Sequence, residues 1–112
     1  MEEILNDARS LGRKIAGHKI TQAFYAAARA VEKDPAAQQI LTQLRDESAK
    51  VGQLQSEGKP IEPEDKRKLA ECESQVASNP NVKTLMKTQM DYLDMMHRIN
   101  AAIDEAAQEA QK

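Results

Sequence analysis

The last third of the chain, residues 80–111, carries an apolar pattern that limits the fold more than any other feature. Apolar and small residues recur there at alternating steps of four and three, and neither Pro nor Gly follows Pro80. This spacing is typical of a helix that buries one seam along its whole length. The stripe consists of Val82, Met86, Gln89, Leu93, Met96, Asn100, Ile103, Ala107 and Ala110. The pattern therefore predicts one long C-terminal helix from Pro80 to Gln111.

This helix is long for a chain of 112 residues. At 1.5 Å per residue, its about 32 residues would extend roughly 48 Å. A compact globule of this chain length has a radius of gyration of about 13 Å, which corresponds to a sphere about 34 Å across. Either the end of the helix protrudes with its seam exposed, or another chain covers it. Because an exposed apolar seam is unfavourable, the length favours an elongated, helix-swapped or side-by-side homodimer.

Two positions of this seam, Gln89 and Asn100, are polar. A buried polar residue in a coiled-coil seam lowers stability but selects one register, because its hydrogen bonds are unmet in any other. The alternative is that one or both side chains face water at the edge of the seam. We predict that the dimer or core seam is formed by Val82, Met86, Leu93, Met96, Asn100 and Ile103.

The composition of the whole chain also favours helix. Aromatic residues make up 3% of the sequence, and Ala, Gln, Glu, Lys, Leu and Met are frequent. These six residues have high helix propensity, whereas the β-branched and aromatic residues that strands prefer are sparse. Four further segments, about 2–16, 18–33, 35–57 and 63–78, have apolar residues at helical spacing. We therefore predict an all-α fold, in which a single domain of residues 1–112 forms an elongated antiparallel bundle of about five helices.

Gly, Pro and polar residues mark the boundaries between these helices. Asp34 and Asn79 each precede a proline, and both can accept hydrogen bonds from the free N–H groups of a first helical turn. Gly58 suits the C′ position after the third helix. Gly17 either ends the first helix or only kinks it, since one glycine inside a helix costs about 1 kcal/mol. Between helices four and five, a hairpin and a bent helix are both open; we expect a kink or tight turn, because a residue before proline disfavours the α region.

No motif for catalysis or metal binding occurs in the sequence. The glycine-rich nucleotide motifs, HExxH, CxxC, GxSxG and the EF-hand loop are all absent. Cys72, the only cysteine, lies on the apolar stripe of helix four and is interpreted as a small core residue. The two histidines, His18 and His97, fall on different helices, so a metal site with Cys72 would need three distant segments to converge. We expect a non-enzymatic protein without catalytic residues, metal or cofactor.

The charge balance does not favour a polyanion partner, because the net charge is −2. One basic face is present near the N-terminus, formed by Arg9, Arg13, Lys14 and Lys19. We interpret it as a solvated helix face; the alternative is a nucleic-acid-associated factor, although no aromatic residues interleave the basic ones for base stacking. The chain lacks signal-peptide features and has no apolar run of membrane-spanning length. Together with the lone cysteine, which cannot form an internal disulfide, these features favour a cytoplasmic location.

Several short motifs follow one another along the chain. In order, they are Leu11-Gly12 with Ile15, then Ile20, Phe24 and Ala28, Asp34-Pro35-Ala36-Ala37, Gly58-Lys59-Pro60-Ile61, Asn79-Pro80-Asn81-Val82 and Ile99-Asn100. Each motif is short, but their order and spacing together are specific and extend over nearly the whole chain. In this arrangement the sequence resembles the YlbF/YmcA family of small helical bacterial proteins.

The resemblance implies an all-α, intertwined homodimer or higher oligomer with a regulatory role. Similar proteins act in complexes that influence competence, sporulation, biofilm formation and RNA processing through an endoribonuclease. Some of those complexes bind iron–sulfur clusters through cysteines; this chain departs there, because Cys72 is alone and other subunits would have to supply the ligands. We therefore expect an oligomeric protein-interaction module, a homodimer or tetramer, for which a different protein is a further candidate partner. Neither nucleic acid nor membrane is an expected partner.

Overall fold

The computed structural model describes residues 1–111. These residues form five α-helices and contain no strand, which confirms the all-α prediction. The helices are α1 (Glu2–Gly17), α2 (Lys19–Glu32), α3 (Pro35–Ser56), α4 (Pro63–Ser78) and α5 (Pro80–Glu109). Each boundary lies within about two residues of its predicted place, as expected when local capping signals end a helix.

The described residues group into two compact units. The first unit comprises residues 1–27 together with the chain from Met86 onward, and the second comprises Ala28–Leu85. By these ranges α1 belongs to the first unit, α3 and α4 belong to the second, and α2 and α5 contribute residues to both. That the chain is a single domain, and that it forms a homodimer, both stay predictions.

In the second unit, Gly58 ends α3 in the way its sequence predicts. Its φ of 71° is in the left-handed region, which glycine adopts without a steric penalty. The N–H of Gly58 donates to the carbonyl of Gln55 at 3.1 Å, and the N–H of Lys59 donates to that of Leu54 at 2.9 Å. This pair of bonds is a Schellman motif, so the C′ position predicted for Gly58 is confirmed.

After this turn, α4 packs antiparallel to α3. Near the loop, Lys50 Nζ lies 2.7 Å from a carboxylate oxygen of the buried Asp65. Farther from the loop, Gln43 of α3 and Gln75 of α4 line one groove, in the order that an antiparallel pair requires. Cys72 is buried on the same side of α4, which confirms its interpretation as a core residue.

The junction between α4 and α5 is a break of one residue. Asn79 has extended backbone, with φ −101° and ψ 113°, and α5 begins at the next residue. Its Oδ1 accepts a hydrogen bond from the N–H of Val82 at 3.1 Å. Asp34 caps α3 in the same way, because its Oδ1 accepts from the N–H of Ala37 at 3.2 Å. The predicted kink or tight turn and both predicted N-caps are therefore confirmed.

A long-range hydrogen bond joins these two capping turns. Asn81 Nδ2 donates to Asp34 Oδ2 at 2.9 Å, although the two residues are 47 positions apart in the chain. This bond, and next the N–H of Ala37, hold the pKa of the Asp34 carboxyl below its ordinary value of 3.8, because both stabilise the ionised form. The start of α5 is thereby attached to the start of α3.

Replacing Asp34 with asparagine should make this link independent of pH. Because the folded-state pKa of Asp34 is lowered, the ionised carboxylate stabilises the fold above pH 3.8, and this contribution is lost as the pH falls below that value. We expect Asp34→Asn to melt below the wild-type Tm at pH 7, with a gap that closes toward pH 2.5. Thermal melts followed by circular dichroism across this range measure the gap.

The companion variant Asn81→Ala removes the main donor to Asp34. In this background, the difference in Tm that Asp34→Asn makes should depend less on pH. The reason is that the hydrogen bond from Asn81, which lowers the pKa of the Asp34 carboxyl most, is absent. A gap between wild type and Asp34→Asn that stays constant from pH 7 to pH 2.5 would contradict this assignment.

Candidate protein-interaction surface

Three aromatic rings pack α2 against α5 in the first unit. Phe24 and Tyr92 are stacked, with ring centroids 5.0 Å apart, and Tyr25 lies 5.6 Å from Phe24 and 6.5 Å from Tyr92. They are all the aromatic residues of the sequence. Phe24 and Tyr92 are half-buried, whereas Tyr25 is 49% exposed. The cluster joins the two helices and leaves one ring available at the surface, where tyrosine is favoured in protein interfaces.

The side of α5 that faces its own chain is marked by Tyr92, Met95 and Ile99. All three side chains are half-buried, and Met95 and Ile99 line one cavity with Ile20 of α2. Successive residues of an α-helix are rotated by about 100°. The residue after Tyr92 therefore lies about a quarter-turn away from this packed side.

That neighbouring side of α5 is open to solvent. Met90 is 72% exposed, Leu93 is 58% exposed and Ile103 is 50% exposed, and Asn100 between them is exposed as well. These four residues, spaced by three, seven and three positions, share one side of the helix. We name Met90, Leu93, Asn100 and Ile103 the open face of α5. It is the apolar side chains in this set that make it a candidate for binding another protein.

The structure divides the seam predicted from the sequence. Val82, which belongs to the second unit, is fully buried in its own chain. Met86 and Met96 are half-buried. Leu93, Asn100 and Ile103 lie on the open face. Whether these six residues form one dimer or core seam stays a prediction.

Helix α1 adds further uncovered apolar side chains to the first unit. It has no buried residue, although its apolar positions follow one stripe. Ile4 is 66% exposed, Leu5 is also exposed, and Leu11 and Ile15 are half-buried. Single exposed apolar residues are normal on a soluble protein, but an amphipathic helix without a fully buried side chain is a candidate for contact with another chain.

The predicted basic face is exposed throughout. Arg9, Arg13 and Lys14 project from α1, and Lys19 begins α2 beyond the break at His18. Arg9 donates from Nη1 to the side-chain oxygen of Asn6 at 2.7 Å, a contact that a solvated helix surface commonly makes. Nucleic-acid binding by these residues stays a prediction.

A groove also lies between α3 and α4. Its volume is about 320 Å³, and charged and amide side chains with Cys72 line it. Beside it, Lys50 lowers the pKa of Asp65 by a direct hydrogen bond, which keeps this buried carboxylate ionised and fastens the hairpin.

Within residues 1–111, no three His, Cys, Asp or Glu side chains are grouped so that they could hold a metal ion. No helix in the same range has the length and apolarity needed to cross a membrane.

The predicted seam left out Met90, and sequence reasoning missed Tyr25 as a surface candidate. A signal for Met90 was present, because Met86, Met90 and Leu93 also follow one another at steps of four and three. This pattern shares Met86 and Leu93 with the predicted stripe and has Met90 in place of Gln89, and periodicity cannot decide which of two adjacent positions is covered. Tyr25 carried no comparable signal, since the residue next to it, Phe24, fitted the predicted stripe.

Comparisons with known proteins extend over nearly the whole chain. A relative from Lactobacillus helveticus (strain DPC 4571), a UPF0342 protein, is 26% identical over 102 residues, which cover 91% of this chain and 88% of the relative. A chain in the crystal structure of Bacillus subtilis RicA in complex with RicF has the same fold, with a TM-score of 0.74 at 18% identity and coverage of 98% and 97% of the two chains. The family model described as control of competence regulator ComK, YlbF/YmcA, matches residues 4–108. This chain therefore belongs to the YlbF/YmcA family.

Proposed function

We propose that this protein is a non-enzymatic subunit of a bacterial regulatory complex, and that it binds another protein chain through the open face of α5. The observation that carries the proposal is the exposure of Met90, Leu93 and Ile103, each at least half accessible in the single chain. The family description, which concerns control of a competence regulator, supports a regulatory role. The similar Bacillus subtilis chain was crystallised in a complex of two proteins, which supports a role in assembly.

The physical reason for binding is the apolar area that the open face leaves in water. Fully burying a Leu, Ile or Met side chain is worth about 1.5–3 kcal/mol, so covering three half-exposed side chains provides a substantial part of the free energy of association. Asn100 lies among them and would select the register of the partner helix, because its amide needs a hydrogen-bond partner once it is covered.

The first occupant that we propose for the open face is a helix of a second copy. In a two-fold contact the same apolar patch serves both chains, so one set of residues is enough to cover both surfaces. A dimer or tetramer built in this way could also present α1, with its uncovered stripe, to a different protein. Control of competence or of related development is the process we propose for the complex, with RNA processing as the step implied by the family resemblance.

A site-directed photo-crosslinking experiment tests which side of α5 binds a partner. A photoreactive amino acid is placed at Leu93 in the full chain, which is expressed in a naturally competent bacterial host. It should crosslink to another polypeptide, which mass spectrometry identifies. The matched control carries the same group at Lys87, which is 78% exposed at its side chain and lies about 120° around the helix. We expect crosslinks from position 93 and few from position 87.

Equal crosslinking from both positions, or none from either, would contradict the proposed binding side. Crosslinks from position 93 to a second copy would identify the homo-oligomer, and crosslinks to one other protein would identify a heteromeric partner instead.

A further inference from the structure

The junction between α1 and α2 consists of a single residue, His18. Helix α1 ends at Gly17 and α2 begins at Lys19. Between them His18 has extended backbone, with φ −73° and ψ 144°. The direction of α1 relative to α2 therefore depends on what holds this one residue, and both helices are in the first unit.

Two side chains fasten the junction. The Nδ1 atom of His18 accepts a hydrogen bond from the N–H of Ile20 at 3.1 Å, and Gln22 Nε2 donates to the carbonyl of Ala16 at 2.7 Å. His18 is thus the N-cap of α2, while Gln22 binds a carbonyl at the end of α1. The N–H of Ile20 belongs to the first turn, where no helical carbonyl is available, so the imidazole is what satisfies it.

This cap requires the neutral form of His18. An imidazole nitrogen accepts a hydrogen bond only while it carries no proton, and the imidazolium ion donates from both nitrogens. Histidine is the side chain that ordinarily changes its charge between pH 5 and pH 8. The positive partial charge at the N-terminus of α2, toward which Nδ1 points, disfavours the imidazolium ion, whereas the C-terminus of α1, which His18 also adjoins, carries negative partial charge.

The charged groups around His18 offer the protonated ring another partner. His18 and Ile20 line a cavity of about 360 Å³ together with Asp94, Met95, Arg98, Ile99 and Ala102 of α5. Asp94 is the carboxylate of this lining, and it is paired with Arg98 at 3.0 Å. On the helices that adjoin His18, the nearby charges are the cations Lys14 and Lys19, which repel an imidazolium ion. Among these charged side chains, the one that attracts a protonated ring is therefore Asp94 of α5.

We propose that His18 is a pH-operated clasp between α1 and α2. The neutral ring caps α2 and holds α1 in the direction seen here. The protonated ring releases the N–H of Ile20, turns toward Asp94 and frees α1 to change direction. Because α1 carries the exposed Ile4 and Leu5, acidification alters how this apolar surface is presented. The inference does not depend on which protein the open face of α5 binds.

NMR on the full chain between pH 8 and pH 5 tests the clasp. A His97→Gln background leaves His18 as the one histidine of the sequence. The protection of the Ile20 amide against solvent exchange, relative to an unstructured peptide at the same pH, should fall about fivefold as the His18 ring becomes protonated, the effect expected for losing an N-cap. A spin label on Asp7→Cys, in a Cys72→Ser background, should change its relaxation effect on α5 amides over the same range.

The matched control is His18→Asn, which keeps an uncharged cap acceptor that does not titrate. Its Ile20 protection and its relaxation pattern should be constant from pH 8 to pH 5. Lowered pKa values keep Asp34 and Asp65 ionised throughout this range, so they do not contribute to the difference. The proposal is overturned if His18→Asn shows the pH dependence of its parent, or if the ring titrates while Ile20 and the label are unaffected.

Discussion

Replacing Val82 with aspartate is expected to prevent the protein from folding. Val82 is fully buried in the second unit, and its backbone N–H is already bound to Asn79. A carboxylate at this place would have no partner and no water, which costs several kcal/mol and up to tens in a fully apolar environment. A domain of this size is stable by only about 5–15 kcal/mol. The far-ultraviolet circular dichroism spectrum should show loss of helix, and the thermal transition should disappear.

The milder variant Val82→Ala gives a graded version of the same test. Loss of two buried methyl groups and the cavity left behind should lower the free energy of unfolding by about 2 kcal/mol and the Tm by roughly 10 °C. Lys83→Asp is the matched control, because it places the same carboxylate at the next, exposed position and should change the Tm little. A Val82→Asp protein that melts at the wild-type Tm would show that this residue does not lie in the core.

Replacing Leu93 and Ile103 together with glutamate is expected to abolish self-association while leaving the fold intact. Both side chains are at least half exposed in the single chain, so the free chain can accommodate the charges. In the contact proposed above, the two carboxylates of each copy would be removed from water without partners, which is strongly unfavourable. Sedimentation equilibrium at micromolar concentration should report a multiple of 12.5 kDa for wild type and 12.5 kDa for the double variant.

A second double variant controls for the added charge. Lys87→Glu with Arg98→Glu also introduces two carboxylates at exposed positions of α5, but outside the open face. It should assemble like wild type and melt at a similar temperature. A wild-type protein that is a stable monomer, or a Leu93→Glu, Ile103→Glu protein that still assembles, would rule out the open face as the contact between copies.

The local signals of the chain predicted the elements well, because helix ends are decided by short-range chemistry. Asp34 and Asn79 cap the first turn that follows them, and Gly58 adopts the left-handed backbone that a Schellman turn requires. Each of these interactions involves residues within about five positions of one another, so the sequence contains both partners side by side. Capping by His18 was missed, since histidine is not among the common N-cap residues.

Which side of each helix is buried was predicted less completely. The heptad spacing of residues 80–111 indicated a long helix with an apolar stripe, but Leu93 and Ile103 of that stripe are exposed while Tyr92 and Ile99 face the chain itself. Adjacent residues are only about 100° apart on a helix, so a broad apolar surface is compatible with several facing directions. What packs there depends on α2 and its aromatic residues, which lie far away in sequence.

By itself, the sequence predicted one uninterrupted helix from Pro80 to Gln111, which the structure has as Pro80–Glu109, and a break from α4 at Asn79, because propensity, capping and the absence of Pro and Gly act within a few residues. Only the tertiary structure decided that Asn81 binds Asp34, that Val82 is covered, and that the open face of α5 is not. These outcomes require segments tens of residues apart to meet, and the free energy of such contacts depends on packing in three dimensions, which a one-dimensional spacing rule does not contain.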